Sequence, residues 1–172
     1  MESSSSQVTG TRLELSRHTP YCEVRPLLAL SDMRQKEDYD CGIVAVKILL
    51  KALGKRLTPD NIKTLSTSPI DGTDPRSIEC LLRRLGLHVL SGEMTWSDLS
   101  YLTQTRPVIC LVTLNRVGHW VVASGIKDSR MHYQDPSDGP QSLGKRKWLE
   151  CWREIDRLGA MYRQWGISAR KS

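Results

Sequence analysis

The chain has 172 residues and a formal charge of +6, with 39% hydrophobic and 26% charged residues. That balance is the one expected of a soluble globular protein with a real core, and residues 21–172 are expected to form one domain. It holds no run of about 18 apolar residues that could cross a membrane. The serine-rich stretch 1–20 reads as a disordered lead-in and lacks the apolar centre of a secretory signal.

In chain order, Val24–Leu30 reads as a short strand leading to Gln35. Cys41–Leu53 has the apolar pattern of a largely buried helix, with Asp40 before it as N-cap and Gly54 after it. Thr58-Pro59 opens a second, short helix, and Asp74-Pro75 a third that closes at Gly86. Between them, Pro69–Thr73 is a turn. Leu87–Leu90 is a short strand, Trp96–Thr103 a helical turn, and Pro107–Leu114 a strongly apolar strand. His119–Ser124 and Arg130–Gln134 follow as strands, and Asp135-Pro136 ends the second of them. Lys147–Tyr162 reads as an amphipathic helix within a basic stretch, 145–165, and Gly166–Ala169 as a last edge strand. Helices first and an antiparallel sheet after them indicate an α+β fold.

Five cysteines, Cys22, Cys41, Cys80, Cys110 and Cys151, stand at wide spacings without a CxxC pair or a Cys/His cluster. Zinc is therefore not expected, nor any other cofactor, and reduced thiols suit a cytoplasmic setting. Cys80, Cys110 and Cys151 read as small buried hydrophobes. Cys41 differs. In the first turn of a helix a cysteine meets the positive end of the helix dipole, which favours the nucleophilic thiolate. Gly42 beside it would let a substrate backbone come close.

Thiol catalysis also needs a base and a group to orient that base. His119 follows Gly118 at the mouth of a buried strand, and Asp135 ends the next strand. Adjacent antiparallel strands can bring the two side by side, so that the carboxylate fixes the imidazole tautomer. Gln35, six residues before Cys41, can donate to a developing oxyanion together with the Cys41 amide.

Gln35-Lys-Glu-Asp-Tyr-Asp-Cys41-Gly42 resembles the nucleophile motif of the bacteriocin-processing, double-glycine cysteine peptidases, a papain-like family. The likeness continues through Leu53-Gly54, Asp71-Gly72-Thr73, Leu85-Gly86-Leu87 and Arg106-Pro107-Val108-Ile109. It then takes in Gly118-His119-Trp120-Val121-Val122 and Gln134-Asp135-Pro136, spanning about residues 24–140. The resemblance implies a papain-like fold, a helical half packed on an antiparallel sheet with the active site between them. It implies Cys41 as nucleophile, His119 as base, Asp135 as orienting acid and Gln35 in the oxyanion hole. Gly42 and Gly118 would line the substrate groove, with a peptide or protein as substrate; Trp120, beside the histidine, reads equally as a wall of that groove or as core.

Many such peptidases are the first domain of an exporter; this sequence contains neither membrane helices nor a GxxxxGK[ST] loop, so an exporter is expected as a separate chain or not at all. No Gly-Gly dipeptide is present, so self-processing at one is not expected. Two other readings use the same residues: an isopeptidase or acyl transferase, and a binding module that holds a partner without cutting it. From Gly144 onward, eight Lys/Arg stand against three Asp/Glu. Such a tail suits an acidic partner or a solvated face, and nucleic acid is the weaker reading. Trp148, Trp152 and Trp165 read as core rather than as base-stacking residues.

Overall fold

Alternation along the two longest central strands decides the architecture. In β4 (Val108–Leu114), Ile109 and Leu111 face one way and Val108, Cys110 and Val112 the other. In β5 (Val117–Lys127), Trp120 and Val122 join the first set, Val121 and Ala123 the second. Strands apolar on both faces need cover on both faces. α1 (Cys41–Ala52) and α3 (Pro75–Arg84) cover one side; α4 (Trp96–Leu102) and α5 (Lys145–Cys151) cover the other. The computed structural model describes residues 26–65 and 67–172. The lead-in 1–20, Cys22 and Val24 lie outside the described residues.

The main sheet is antiparallel throughout, in the order β3 (His88–Glu93), β10 (Trp165–Arg170), β4, β5, β6 (Arg130–Asp135), β7 (Gly139–Gly144). The α+β class expected from the sequence is the one observed. The helix starts follow their caps: Thr58 accepts from Asn61 N at α2 (Pro59–Ile62), Asp74 from Ser77 N at α3, and Thr95 forms a capping box with Asp98 at α4. Asp40 stands at the N-cap position of α1 but makes no side-chain cap. Its backbone (φ −83°, ψ −2°) is already helical, whereas a capping side chain needs an extended residue.

Four expectations are corrected. The described part of the Val24–Leu30 strand has no strand pairing; Pro26 has no N–H to give, and Leu28 N makes a single bond to Ser124 O (3.0 Å). Gly166–Ala169 belongs to β10, which is not an edge but lies between β3 and β4. Cys80 is exposed, because it sits on the face of α3 opposite Ile78, Leu81 and Leu82.

The largest correction concerns 145–165, where the helix stops at Cys151. The next residues form a hairpin of β8 (Arg153–Ile155) and β9 (Met161–Arg163). Asp156 Oδ1 accepts from Leu158 N (2.9 Å) and Ala160 N (2.8 Å), and Gly159 takes φ +84°. This side-chain-closed turn competes with the helix and wins. The helical stripe continued to Ile155 and Leu158, which are 58% and 95% exposed, so burial gives no reason to extend it.

Trp148 and Trp152 are buried, as expected, and their rings lie 5.8 Å apart. Trp152 Nε1 also donates to Trp165 O (2.9 Å), joining the end of α5 to β10. Trp152→Ala is expected to cost about 3–5 kcal/mol, read as a lowered midpoint in urea unfolding.

Candidate active site

The site is assembled where the start of α1 meets one end of β5 and β6. Cys41 is the first residue of α1 and is buried to 4% exposure. Across β5 and β6, Val122 stands opposite Gln134. Continued by one step, that register sets Asp135 opposite Val121 and diagonal to His119 on the same face. The imidazole closes the gap: His119 Nε2 lies 2.7 Å from Asp135 Oδ1. With Nε2 engaged, Nδ1 is left for the Cys41 thiol, which lies near enough to the ring to raise its pKa. Three residues expected to act together are thus brought together.

Asp135 is 2% exposed and accepts a second bond from Ser137 N (2.7 Å). Its turn is held from outside by residues 32–35. Gln35 N donates to Pro136 O (2.9 Å), Arg34 Nη1 to Ser137 O (3.2 Å), and Gln134 Nε2 to Asp32 Oδ1 (2.8 Å). This strap was not evident from the sequence, since its partners are about 100 residues away. Gln35 Nε2 spends one hydrogen on Glu37 O (3.1 Å), leaving its second for another acceptor, while Oε1 is buried without a partner.

Gly42 is buried, and a Cβ there would overlap the Thr73 side chain and sit 3.0 Å from Trp120 Cδ1. Its missing side chain therefore makes room for protein rather than for an approaching substrate. Trp120 is 2% exposed and donates from Nε1 to Thr73 O (3.0 Å), so it belongs to the core and to the site at once. Thr73 ends the small hairpin of β1 (Thr67–Ser68) and β2 (Gly72–Thr73).

Cys41, Gly118 and Trp120 line a cleft of about 670 Å³. Its far wall comes from Asp156–Leu158 and Tyr162 of the β8–β9 hairpin, where Arg157 reaches Asp71 at 3.5 Å. These residues were missed because a helix was expected there. The signal that could have found them was Asp156-Arg-Leu-Gly159, a turn between Ile155 and Met161. At Gly118 the Glu154 side chain packs so closely that a Cβ would lie 2.7 Å from its carboxyl carbon. Among the described residues no group of three or more His, Cys, Asp or Glu could hold a metal ion.

The model of the Peptidase C39 family matches residues 31–156. The chain belongs to the Peptidase C39 family. It is thereby a cysteine peptidase, and the match encloses the whole constellation from Gln35 to Asp135. Over 109 residues, 61% of this chain, it is 26% identical to the lactococcin-G-processing and transport ATP-binding protein LagD of Lactococcus lactis subsp. lactis. The chain spans about 15% of that relative's length.

Two solved structures share the fold of this C39 peptidase. A double glycine motif protease from an AMS/PCAT transporter, in complex with its leader peptide, has a TM-score of 0.65 at 17% identity, covering 86% of this chain and 96% of its own. The peptidase domain of Streptococcus ComA, a bifunctional ABC transporter, has 0.64 at 19%, covering 84% and 99%. Among the described residues of the C39 chain, no helix is long and apolar enough to cross a membrane.

In the C39 site, burial disfavours the charged imidazole of His119. Hydrogen bonds to Asp135 and Cys41 outweigh it and push the pKa up to about 9 from the ordinary 6.5. Burial likewise opposes the Asp135 carboxylate, yet His119 and the Ser137 and Asp138 amides hold it below the usual carboxylate range. A raised histidine pKa stabilises the fold fully below the unfolded value near 6.5, and this contribution is lost as pH climbs through about 9.

Asp135→Asn is expected to bring the His119 titration down toward 6.5, read from its imidazole proton resonances across pH. Gly42→Ala is expected to cost about 1–3 kcal/mol by overpacking against Thr73, measured by chemical denaturation.

Proposed function

We propose that this chain hydrolyses a peptide bond after a Gly-Gly-type sequence through a thioester on Cys41. The observation that carries the proposal is the 2.7 Å pair of His119 with buried Asp135, set beside Cys41 at the start of α1. His119 takes the thiol proton, and the thiolate sulfur attacks the scissile carbonyl carbon. The resulting oxyanion accepts from the Cys41 amide N–H and the second Gln35 Nε2 hydrogen. Imidazolium His119 passes its proton to the leaving nitrogen as the C–N bond breaks, leaving the acyl group on sulfur. Water, deprotonated by His119, then attacks the thioester; the carboxyl product leaves and the thiol is restored. Asp135 holds the ring in the tautomer that serves both steps.

A peptide substrate agrees with the leader peptide held by the structurally similar double glycine motif protease. Thr73 and Trp120 stand beside Cys41 in the cleft, a crowding that favours residues without bulky side chains next to the scissile bond. Gly118 and Trp120 serve as groove walls and Gly42 as the seat on which those walls close. An exporter, in the same chain or another, is the partner that the likeness to a processing and transport protein supports, with cleavage on the cytoplasmic side.

The test is a set of synthetic peptides with a central Gly-Gly, incubated with purified protein and weighed by mass spectrometry. Products should add one water across the bond after the second glycine. Cys41→Ala and His119→Ala should each lower kcat by about 100-fold or more. Gln35→Ala should lower kcat about 10²–10³-fold with KM little changed. Rate should fall on the alkaline side near pH 9, where His119 loses its proton. Full activity in Cys41→Ala would end the proposal.

A further inference from the structure

Two short hairpins face each other across the active-site cleft. β1–β2 supplies one wall through Ser68, Asp71 and Thr73, and β8–β9 the other through Asp156, Arg157 and Tyr162. Each is fastened toward its base. Under the first, Trp120 Nε1 holds Thr73 O (3.0 Å). Beneath the second, Trp152 Nε1 holds Trp165 O (2.9 Å), and Trp152 O accepts from Gln164 N (2.9 Å). Among the described residues, no hydrogen bond joins one hairpin tip to the other. An ion pair joins them instead, from Arg157 Nη1 to Asp71 Oδ1 at 3.5 Å.

The pair sits at the rim of the cleft and the thiol at its floor. The Arg157 and Asp71 side chains are 65% and 62% exposed, whereas Cys41 is 4% exposed. Asp71 is presented by a closed turn, in which its own N donates to Ser68 Oγ (2.9 Å). The other acids lining the cleft are committed elsewhere. Asp74 accepts from Ser77 N (2.8 Å) at the start of α3, and Asp156 from Leu158 N and Ala160 N within its own turn. A two-stranded ribbon is marginally stable by itself, and an exposed ion pair is weak. Tips joined in this way part readily.

We infer that the Asp71–Arg157 pair is a latch across the mouth of the cleft and selects what reaches Cys41. Closed, it leaves the space beneath to small molecules. A polypeptide lies across the thiol only when the two tips part. The inference rests on the peptidase reading for what the latch admits, a polypeptide substrate, and on the two hairpins alone for the latch itself. Because the joint is made of exposed charges, salt weakens it.

The experiment reads access to Cys41 rather than cleavage. Full-length protein is treated with iodoacetamide and, separately, with a maleimide carrying a polyethylene glycol chain. The adduct is quantified by mass spectrometry on the peptide that contains Cys41, which excludes label on the other cysteines. The ratio of the large reagent's rate to the small one's measures opening of the mouth and cancels changes in the thiol's own reactivity.

Asp71→Asn and Arg157→Gln should each raise this ratio about two- to fivefold, the shift that loss of one exposed pair supplies. High salt should raise it as much in wild type and add nothing in either variant. Arg157→Lys, which keeps the charge, should stay near wild type. With Gly-Gly peptides, Asp71→Asn and Arg157→Gln should lower KM by a similar factor. A ratio that ignores salt and both neutral variants, or one that rises as far in Arg157→Lys as in Arg157→Gln, overturns the latch. Ratios that shift as expected, with no cleavage of any peptide by wild type, leave the latch standing and sink the peptidase reading instead.

Discussion

Asp135 imposes more on this chain than any other residue. A carboxylate with 2% of its surface exposed is tolerable only if its oxygens are matched by donors. His119 supplies one donor and the Ser137 amide another, and each demands a particular backbone. The histidine requires β5 and β6 in one register; the amide requires the chain to turn at once after β6. The strap at 32–35 then fastens that turn from outside, through Gln35 N, Arg34 and the Asp32 bond to Gln134. Gln35 is fixed by the same strap. Gln35 and Asp135 are therefore placed by one hydrogen-bonded unit rather than by separate accidents of packing.

Cys41 comes from a second unit, and its position is set by close approach. α1 lies against β5 only because Gly42 has no Cβ to hold Thr73 and Trp120 away. Trp120 then does two things at neighbouring atoms. Its ring fills the core under the helix, and its Nε1 holds Thr73 O, tying the β1–β2 hairpin to the sheet. His119 follows from this as the adjacent residue of β5. Strand alternation sends Trp120 to the α1 side and leaves His119 on the other parity, at the strand's end, where the ring can reach both Cys41 and Asp135. A one-residue slip in β5 would exchange these two side chains and destroy core and site together.

The parts legible in the sequence are those in which residue type and local backbone agree. Asp74-Pro75 and Thr58-Pro59 announce helix starts because cap and proline both act within one turn. Pro107–Leu114 announces a buried strand because its apolar run is short, rich in β-branched residues and opened by a proline. The meeting of His119 with Asp135 was legible through their places at the ends of adjacent antiparallel strands. The parts not legible depend on partners far along the chain. Nothing near Gly166–Ala169 says that it will enter between β3 and β4; the run of buried small and apolar residues is all that marks a central strand. Asp40 shows the limit from the other side: a residue type suited to capping, in a backbone conformation that cannot use it.

The segment 153–163 was misread for an instructive reason. Hydrophobic period reports which side chains enter the core, and here Ile155, Leu158 and Met161 do not enter it. They are apolar residues left outside, on a hairpin whose turn is closed by Asp156 and whose base is fixed through Trp152 and Trp165. A core-directed reading assigns such residues to a helix stripe, because that is the commonest way to bury them. Their exposure beside the cleft instead shows that the hairpin is held by its turn and its base rather than by burial of these side chains. The same hairpin leaves Arg153 and Arg163 facing each other without a carboxylate between them. Both features raise the free energy of the isolated chain slightly, and the hairpin tolerates them because its turn and base are held by hydrogen bonds. The element least required by the core is thus the one that gives the cleft its far wall.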